Sequence, residues 1–491
     1  MTAVLAIDQG TTGSTALVVA QDGRILGRGY REITQHFPEP GQVEHDPEEI
    51  FKKTIEAARE ALQQAKVTPL AVGITNQRET VCVWERKTGR PLHRAIVWQD
   101  RRTAARCARL AASPAGARIR KRTGLVLDPY FSATKIEWLL GHVPGLKARV
   151  RAGDAVFGTI DSWLMFRLTG GATFATDHTN ASRTMLYDID ARAWSPELLR
   201  LFKVPAHALP EVRASSGAFG TCRGEHLGTE LPITGVAGDQ QAALFGQGCW
   251  RSGQAKNTYG TGAFLLLNTG GKRPASKHGL LVTVACGRLG EPVYALEGSV
   301  FIAGAAMQWL RDGLGLITRA AESEQLAREV PDTGGVVFVP AFVGLGAPHW
   351  EARARGTIVG ITRGTRKAHL VRAALEAMAF STKEVLDAMT ADAHHRLETL
   401  QVDGGAAAND WLMQFQADVL GVRVARPDLV ETTALGAAGL AGLGAGLWKS
   451  ADDFLAGRQF TTFAPQAQRR VVQGRAAEWH RAVQAALHWA G

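Results

Sequence analysis

The stretch DQGTTGST at residues 8–15 lies between two apolar runs, VLAI at residues 4–7 and ALVVA at residues 16–20. Two runs of β-forming residues joined by a Gly/Thr-rich turn predict a hairpin. Backbone N–H groups and hydroxyls in such a turn can surround a phosphate group, and Asp8 adds a carboxylate suited to a magnesium ion or its water shell. No Gly-Lys-Ser/Thr follows, so the stretch is not a Walker loop. The sequence therefore predicts a phosphate-binding hairpin of another kind.

The residues after this hairpin continue the strand pattern and then change to a helix. A turn at residues 22–23 and an apolar pair at residues 25–26 predict a third strand, and so a meander. A helix is expected next, because Asp46 can cap it, Pro47 suits its first turn and Glu49 occupies the capping-box position. Its apolar stripe has helical spacing and consists of Phe51, Ile55, Ala58 and Leu62.

The second half of the chain restarts the same plan. The turn NTYGTG at residues 257–262 leads into the apolar run AFLLL at residues 263–267. Strand-like runs alternate with helical stretches throughout, which predicts an α/β fold. We expect two related domains that face each other across a cleft, the first at residues 1–248 and the second at residues 249–491.

A third element, VDGGAAAN at residues 402–409, predicts a strand that ends in a glycine pair. Asn409 can cap a helix that begins near Asp410. The small residues before the cap leave room for an adenine ring. Together with the two Gly/Thr turns, this element predicts a nucleotide-binding cleft.

Composition excludes several classes of protein. With 491 residues, of which 45% are hydrophobic and 21% charged, the chain has the composition of a globular protein of roughly two to four domains. The segment from Met1 to Ile7 has no basic region, so it predicts a first strand rather than a signal peptide. No stretch approaches the roughly 20 apolar residues of a membrane span. We expect a cytoplasmic protein without membrane insertion.

The charge and the cysteines carry less information. The net charge is +10, but the Lys/Arg clusters are short and lack interleaved aromatic residues. We therefore expect no nucleic-acid partner, and we interpret the charge as that of a protein that handles anionic small molecules. The cysteines are odd in number and widely spaced, which predicts reduced structural thiols: Cys82, Cys107, Cys222, Cys249 and Cys286.

Further motifs point to a family. NQRET at 76–80, IVWQ at 96–99, DPYFS at 128–132, AGDQQAALFG at 237–246 and NTYGTG at 257–262 resemble the FGGY family of carbohydrate kinases, and within it the members that act on glycerol. The resemblance covers nearly the whole chain. It implies two actin-like (ribonuclease H-like) domains with a nucleotide cleft between them. The implied activity is ATP-dependent phosphorylation of glycerol to sn-glycerol 3-phosphate and ADP, the first step of glycerol catabolism, in a homodimer or homotetramer.

The resemblance also implies roles for particular residues. The implied glycerol-binding residues are Arg78, Glu79, Trp98, Tyr130, Asp239, Gln240 and Phe264. The implied ATP-binding residues are Thr11, Thr12, Gly13, Thr15, Thr261, Gly304, Gln308, Gly405 and Asn409. The implied magnesium ligands are Asp8 and Asp239. Glycerol has three hydroxyls and a short apolar backbone, so paired donors and acceptors opposite aromatic rings suit it chemically.

Asp239 is the candidate general base for direct transfer of the phosphoryl group, with Glu79 as the second candidate. One nucleotide position departs from the family pattern, because Thr15 stands where many relatives carry Arg. A hydrogen bond from a charged donor contributes roughly 1.5–3 kcal/mol. The substitution is therefore expected to affect nucleotide affinity more than catalysis.

Allosteric inhibition by fructose 1,6-bisphosphate is not expected. Some bacterial relatives bind this compound through a Gly-rich loop that ends in Arg, but the corresponding segment here, at residues 223–230, ends in Glu230. A carboxylate in this position repels a phosphate group. Titrating the sugar bisphosphate into an activity assay tests this, and inhibition at millimolar or lower concentration would contradict it.

Two alternatives remain open from the sequence. Another FGGY kinase, acting on a pentulose, erythritol or gluconate, needs a longer pocket than the bulky Trp98 and Phe264 leave. An actin-like or chaperone-like protein that uses ATP to drive assembly does not need Arg78, Glu79 and Tyr130, and it would hydrolyse ATP without any polyol.

Overall fold

Strands and helices alternate along residues 2–491, the part of the chain that the computed structural model describes. Met1, the first residue of the predicted N-terminal strand segment, lies outside the described residues. The strands of the first half are β1 (Ala3–Gln9), β2 (Gly13–Ala20), β3 (Ile25–Glu32), β4 (Glu44–His45), β5 (Val72–Asn76), β6 (Cys82–Glu85), β7 (Ala95–Ile96), β8 (Ala155–Gly158), β9 (Ala175–Asp177), β10 (Tyr187–Asp188), β11 (Ala193–Trp194), β12 (Glu211–Arg213), β13 (Thr221–Cys222) and β14 (Leu231–Gly238). The helices of this half are α1 (Pro47–Ala65), α2 (Ala104–Ala111), α3 (Pro114–Thr123), α4 (Ser132–His142), α5 (Leu146–Ala152), α6 (Ile160–Leu168), α7 (His178–Ala181), α8 (Pro196–Phe202), α9 (Gly224–Leu227) and α10 (Asp239–Gly246).

The second half has a similar composition of elements. Its strands are β15 (Ala255–Tyr259), β16 (Ala263–Gly270), β17 (Leu281–Cys286), β18 (Pro292–Val300), β19 (Val337–Val339), β20 (Thr357–Val359), β21 (Thr399–Asp403), β22 (Arg423–Pro427) and β23 (Phe460–Phe463). Its helices are α11 (Gly304–Gln308), α12 (Glu322–Arg328), α13 (Lys367–Ala393), α14 (Asp410–Leu420), α15 (Thr432–Gly444), α16 (Ala451–Leu455) and α17 (Arg469–Trp489).

The first large sheet has six strands in the order β13-β14-β5-β1-β2-β3. Strands β1, β2 and β3 form the predicted antiparallel meander, and β5 and β14 run parallel to β1. In the first hairpin Gln9 lies opposite Ser14, and the Gly10 N–H donates to the Gly13 carbonyl at 2.8 Å. The hairpin predicted at the start of the chain is confirmed.

The second large sheet repeats this arrangement. Its seven strands lie in the order β17-β18-β16-β15-β21-β22-β23, with β18, β16 and β15 as antiparallel neighbours and β21 and β22 parallel to β15. Here, unlike in the meander of the first sheet, β17 lies between β16 and β18 along the chain. The order β3-β2-β1-β5-β14 in the first sheet therefore corresponds to β18-β16-β15-β21-β22 in the second. The prediction that the second half restarts the plan of the first is confirmed, because each sheet begins with an antiparallel hairpin and continues with parallel strands reached by crossover connections.

Helix α1 begins as predicted but without the capping box. The Asp46 side chain accepts a hydrogen bond from the Glu48 N–H, so the cap is confirmed. Glu49 does not reach back to the cap, because its carboxylate accepts from the backbone N–H and the hydroxyl of Thr34 at 3.2 and 3.0 Å. The capping-box prediction was wrong, because the Glu49 carboxylate is hydrogen-bonded to Thr34 instead of to the helix N-terminus. Of the predicted stripe, Phe51, Ile55 and Ala58 are buried and Leu62 is partly buried.

Helix α15 lies late in the sequence but packs on the first sheet, against β1, β5 and β14, and on α10. The contact with α10 requires glycine, because a Cβ atom at Gly436 would lie 1.8 Å from the Ala242 carbonyl oxygen. A Cβ at Gly73 in β5 would likewise lie 2.2 Å from the Ala437 carbonyl oxygen. This packing joins a helix of the second half to the first sheet, and the boundary near residue 248 stays a prediction.

The cysteines are all free and buried, as predicted. Among residues 2–491, no helix combines the length and the apolar character needed to cross a bilayer.

Candidate active site

The loops that carry the predicted site residues follow the carboxyl ends of parallel strands. In the first sheet β1, β5 and β14 end at Gln9, Asn76 and Gly238. In the second sheet β15 and β21 end at Tyr259 and Asp403. Carboxyl ends of parallel strands lie at one edge of a sheet, where ligands of open α/β folds bind. The topology therefore collects the motifs at one edge of each sheet.

Arg78 is the buried centre of the polar group. Its Nε lies 3.0 Å from Asp239 Oδ1, and its Nη1 and Nη2 donate to the two carboxylate oxygens of Glu297 at 2.7 and 3.1 Å. Nη2 also lies 3.3 Å from the Tyr130 hydroxyl. Burial opposes the charged form, but Glu297 and the other acidic groups outweigh it and raise the pKa of Arg78 well above its ordinary value. The guanidinium is held in one orientation as a permanent cation.

Glu79 adopts a backbone conformation that only its surroundings can maintain. Its φ is 60°, in the left-handed region, and the Thr80 N–H closes a three-residue turn on the Arg78 carbonyl at 2.7 Å. Such a conformation typically costs about 1–3 kcal/mol for a non-glycine residue and is found mostly at functional sites. The Glu79 carboxylate accepts from Arg183 Nε at 2.6 Å, yet burial raises its pKa against the effect of this cation.

Asp239 is the first residue of α10. Its Oδ1 accepts from Arg78 and from the Gln240 N–H, the latter at 2.7 Å. Its side chain is 29% exposed, whereas that of Glu79 is 2% exposed. Gly238 before it lets the Arg78 side chain pass, since a Cβ there would lie 2.7 Å from two Arg78 carbons. Of the two candidate bases, Asp239 has the more exposed carboxylate.

Three aromatic rings lie beside this polar group. The Trp98 ring centroid is 5.4 Å from that of Tyr130 and 6.5 Å from that of Phe264, both in edge-to-face arrangements. Trp98 Nε1 also donates to the Thr11 hydroxyl at 2.9 Å. Trp98, one of the predicted glycerol-binding rings, therefore contacts the first predicted phosphate turn.

The second turn is packed against the start of α11. The Gly260 N–H donates to the Gly262 carbonyl at 2.8 Å, as in the first turn. The Thr261 carbonyl accepts from the N–H groups of Ala303 and Ala305, and the Gly304 N–H donates to the Gly260 carbonyl. The Thr261 residue itself is exposed, as is Gln308 at the end of α11, and both are free to contact a ligand.

The third loop connects β21 to α14. Asn409 accepts from the Leu412 N–H at 2.9 Å, so the predicted cap of a helix beginning at Asp410 is confirmed. Gly404 has φ +84° and approaches Tyr259 so closely that a Cβ would lie 2.3 Å from its carbonyl oxygen. Gly405 faces open space, with no atom within 4 Å of a Cβ built there. The space beside Gly405 is therefore open, and the placing of an adenine ring there stays a prediction.

Two acidic groups face the first turn. Burial, with a smaller contribution from Asp239, raises the pKa of Asp8 to about 7. The register places Thr15 opposite Asp8, so both side chains lie on the same face of the hairpin. Residues 2–491 contain no cluster of three or more metal-ligating His, Cys, Asp or Glu side chains. Magnesium usually takes one or two carboxylates together with waters and substrate phosphates, and Asp8 with Asp239 fits that pattern.

The structure adds residues that sequence reasoning missed. Arg183 Nη2 lies 2.9 Å from Glu297 Oε1, so the buried charges form a connected group of Arg78, Glu79, Arg183 and Glu297. Lys256 is fully buried beside Gln240. No spacing rule could have found these residues, because 219 positions separate Arg78 from Glu297.

Comparison with known proteins gives a consistent result. Residues 3–246 match the N-terminal domain, and residues 255–445 the C-terminal domain, of the FGGY family of carbohydrate kinases. The chain is 54% identical to a glycerol kinase of Dechloromonas aromatica, over 99% of this chain and 98% of that protein. It is 55% identical to a glycerol kinase of Aromatoleum aromaticum, over 100% and 99% respectively. Its structure is similar to that of Plasmodium falciparum glycerol kinase with ADP, with a TM-score of 0.93, 38% identity, and 99% and 98% of the two chains covered.

Proposed function

The chain belongs to the FGGY family of carbohydrate kinases, and on that premise we propose that it transfers the γ-phosphoryl group of ATP to a terminal hydroxyl of glycerol. The products are sn-glycerol 3-phosphate and ADP, as in the first step of glycerol catabolism. The observation that carries the proposal is the contact of Trp98 with Thr11, which sets the polar and aromatic pocket directly against a phosphate-binding turn. Identity of 54–55% with glycerol kinases over essentially the whole chain supports the choice of substrate.

The pocket has the chemistry of a small triol. Arg78, Glu79, Tyr130, Asp239 and Gln240 provide donors and acceptors for hydroxyl groups, and the rings of Trp98 and Phe264 pack against the carbon edge. Analogues without a hydroxyl are discriminated against, because they leave buried polar groups unpaired. We infer from the bulk of Trp98 and Phe264, whose ring centroids are 6.5 Å apart, that the pocket is too short for a pentulose or gluconate.

ATP is proposed to lie between the two turns and the third loop. Thr11, Thr12, Gly13 and Thr261 supply N–H groups and hydroxyls to the phosphates, with Thr15 beside them on β2. Gly304 and Gln308 at α11, and Gly405 and Asn409 at the third loop, are proposed to contact the adenosine portion. A ligand bound there touches both halves of the chain, here proposed to be two domains at residues 1–248 and 249–491.

Asp239 is proposed as the general base in a direct transfer. Its carboxylate accepts the proton of the attacking hydroxyl, and Arg78 holds that carboxylate in place at 3.0 Å. The transition state of phosphoryl transfer is loose, so positioning of the two reactants contributes much of the rate. Glu79 is a weaker candidate, because it is buried against Arg183. Asp8 and Asp239 would hold a magnesium ion, which neutralises phosphate charge when it is bound.

An assay of ADP release with a panel of polyols tests this function. We expect turnover with glycerol, and kcat/KM for xylulose, erythritol and gluconate lower by about tenfold or more, the effect of about 1.4 kcal/mol in transition-state binding. ADP release without any polyol should be slow. Preference for one of the longer substrates would favour another FGGY activity, and rapid polyol-independent release would favour an actin-like or chaperone-like ATPase.

A further inference from the structure

Lys256 is a fully buried lysine on β15 with neutral hydrogen-bond partners. Its Nζ lies 2.5 Å from Gln240 Oε1 and 2.7 Å from Thr258 Oγ1. Lysine is almost never fully buried without a compensating charge. Here burial lowers the pKa of Lys256 to about 8, opposed by the nearby Asp403 and Asp239. Burying a cation among neutral partners costs free energy, which points to a specific role for Lys256.

The contact with Lys256 determines how the Gln240 amide is turned. An ammonium group only donates, so the atom of Gln240 that faces it must be the amide oxygen. The Nε2 group then points away from Lys256. Among residues 2–491 it makes no hydrogen bond to the protein, and it is not one of the fully buried unpartnered atoms, so solvent or a ligand can reach it.

An N–H donor is what the pocket needs beside Asp239. Gln240 directly follows Asp239 and donates its backbone N–H to Asp239 Oδ1. A substrate hydroxyl has a single proton, and a hydroxyl that donates it to a carboxylate can only accept from its next neighbour. A glutamine with its amide reversed would present a second acceptor there instead of a donor.

Asp403 is a buried carboxylate whose charge favours the protonated form of Lys256. Asp403 ends β21 and is paired in register with Thr258 of β15. Its Oδ2 accepts from Gln247 Nε2 at 2.8 Å and from the Thr432 hydroxyl. Because β15 belongs to the second sheet and Gln240 to α10, the Lys256 contact also joins elements from the two halves of the chain.

We propose that Lys256 is a positioning residue for the polyol: it fixes the Gln240 amide with its N–H donors toward the substrate. This role rests on the proposed function and deepens it, since it assigns part of the hydroxyl recognition to a residue that never touches the substrate. Lys256 acts through Gln240 and takes no part in the transfer itself.

The first test is Lys256→Met, which keeps the length of the side chain and removes the donors. We expect KM for glycerol to rise about tenfold, the size expected for the loss of one hydrogen bond, with kcat and KM for ATP within about twofold of the unmodified enzyme. The matched control is Lys383→Met in α13, a partly exposed lysine that forms an ion pair with Asp387. All three constants should be unchanged in the control.

A double mutant shows whether the effect passes through Gln240. In a Gln240→Met background, adding Lys256→Met should change KM for glycerol by less than about twofold, because residues that act through one another are not additive. The proposal would be overturned if the increase in KM for glycerol in the double mutant equalled the product of the increases in the two single variants. So would an unchanged KM for glycerol in folded Lys256→Met.

Gln240→Glu provides a test that does not depend on the stability of Lys256→Met. Lys256 keeps a partner in this variant, but the side chain has no N–H donor left, so KM for glycerol should again rise about tenfold or more, as for one lost hydrogen bond. A KM equal to that of the unmodified enzyme would rule out the need for a donor. If the unmodified enzyme phosphorylates no glycerol, the proposed function and the role of Lys256 are both wrong. If it phosphorylates glycerol normally and the variants keep the same KM for glycerol, only the role of Lys256 is wrong.

Discussion

Asp239→Asn lowers kcat for glycerol phosphorylation by about 10²- to 10⁴-fold, the usual contribution of a general base, while KM for glycerol changes much less. Asparagine has nearly the same shape, and its side-chain oxygen can still accept from Arg78 and from the Gln240 N–H, which both bond Oδ1 of Asp239. The variant therefore keeps the geometry of the pocket and loses the group that accepts the proton. Steady-state kinetics with saturating ATP measure both constants.

The matched control for this variant is Asp387→Asn, on the surface of α13, where the carboxylate forms an ion pair with Lys383. Its kcat should equal that of the unmodified enzyme. Turnover within a few-fold of normal in Asp239→Asn would remove Asp239 from the role of base. The same measurement on Glu79→Gln would then show whether the second candidate takes that role.

Glu297→Gln is expected to have the largest effect on stability. Its carboxylate is fully buried and is shared by Arg78 and Arg183 at 2.7 and 2.9 Å. Loss of the negative charge leaves two buried guanidinium groups with too few carboxylates, and breaking a buried pair costs roughly 3–5 kcal/mol. Denaturant unfolding measures the loss of free energy. Because Arg78 loses its fixed orientation, kcat/KM for glycerol should fall in the same variant.

The pH dependence of this effect has a definite sign. Burial favours the neutral acid, but Arg183 and Arg78 outweigh it and lower the pKa of Glu297 from 4.5 to about 2. A depressed carboxyl pKa stabilises the folded state above the unfolded value, and the contribution disappears as pH falls through the folded value. The difference in free energy of unfolding between the unmodified protein and Glu297→Gln should therefore have its maximum value above pH 4.5 and decrease as the pH falls towards 2.

The control for Glu297 is Glu398→Gln, an exposed glutamate before β21. Surface substitutions of this kind usually change stability by less than about 0.5 kcal/mol. A Glu297→Gln protein as stable and as active as this control would show that the buried charges do not depend on one another.

Local features of the fold were predictable because neighbours in sequence decide them. The first hairpin depends on two apolar runs and the turn between them. The caps at Asp46 and Asn409 depend on a side chain that reaches an N–H two or three residues later. The restart of the plan in the second half was predictable because a Gly/Thr turn between strands recurs there, whereas the full strand order came only from the structure. Glu49 was not predictable in this way, because its carboxylate accepts a hydrogen bond from Thr34, which precedes the helix by more than ten residues.

By itself, the sequence determined the α/β class, the first meander, the two turns, the third loop and, through its motifs, the family. Only the tertiary structure decided how the charges of the site are balanced. Glu297 and Arg183 meet Arg78 and Glu79 across separations of 219 and 104 residues, and the left-handed Glu79 is held by that packing. The physical reason is the sequence separation of the interacting residues. Hairpins, turns and caps depend on residues that are close in sequence. A buried ion pair depends on the folded chain, which brings distant residues together and excludes water from both partners.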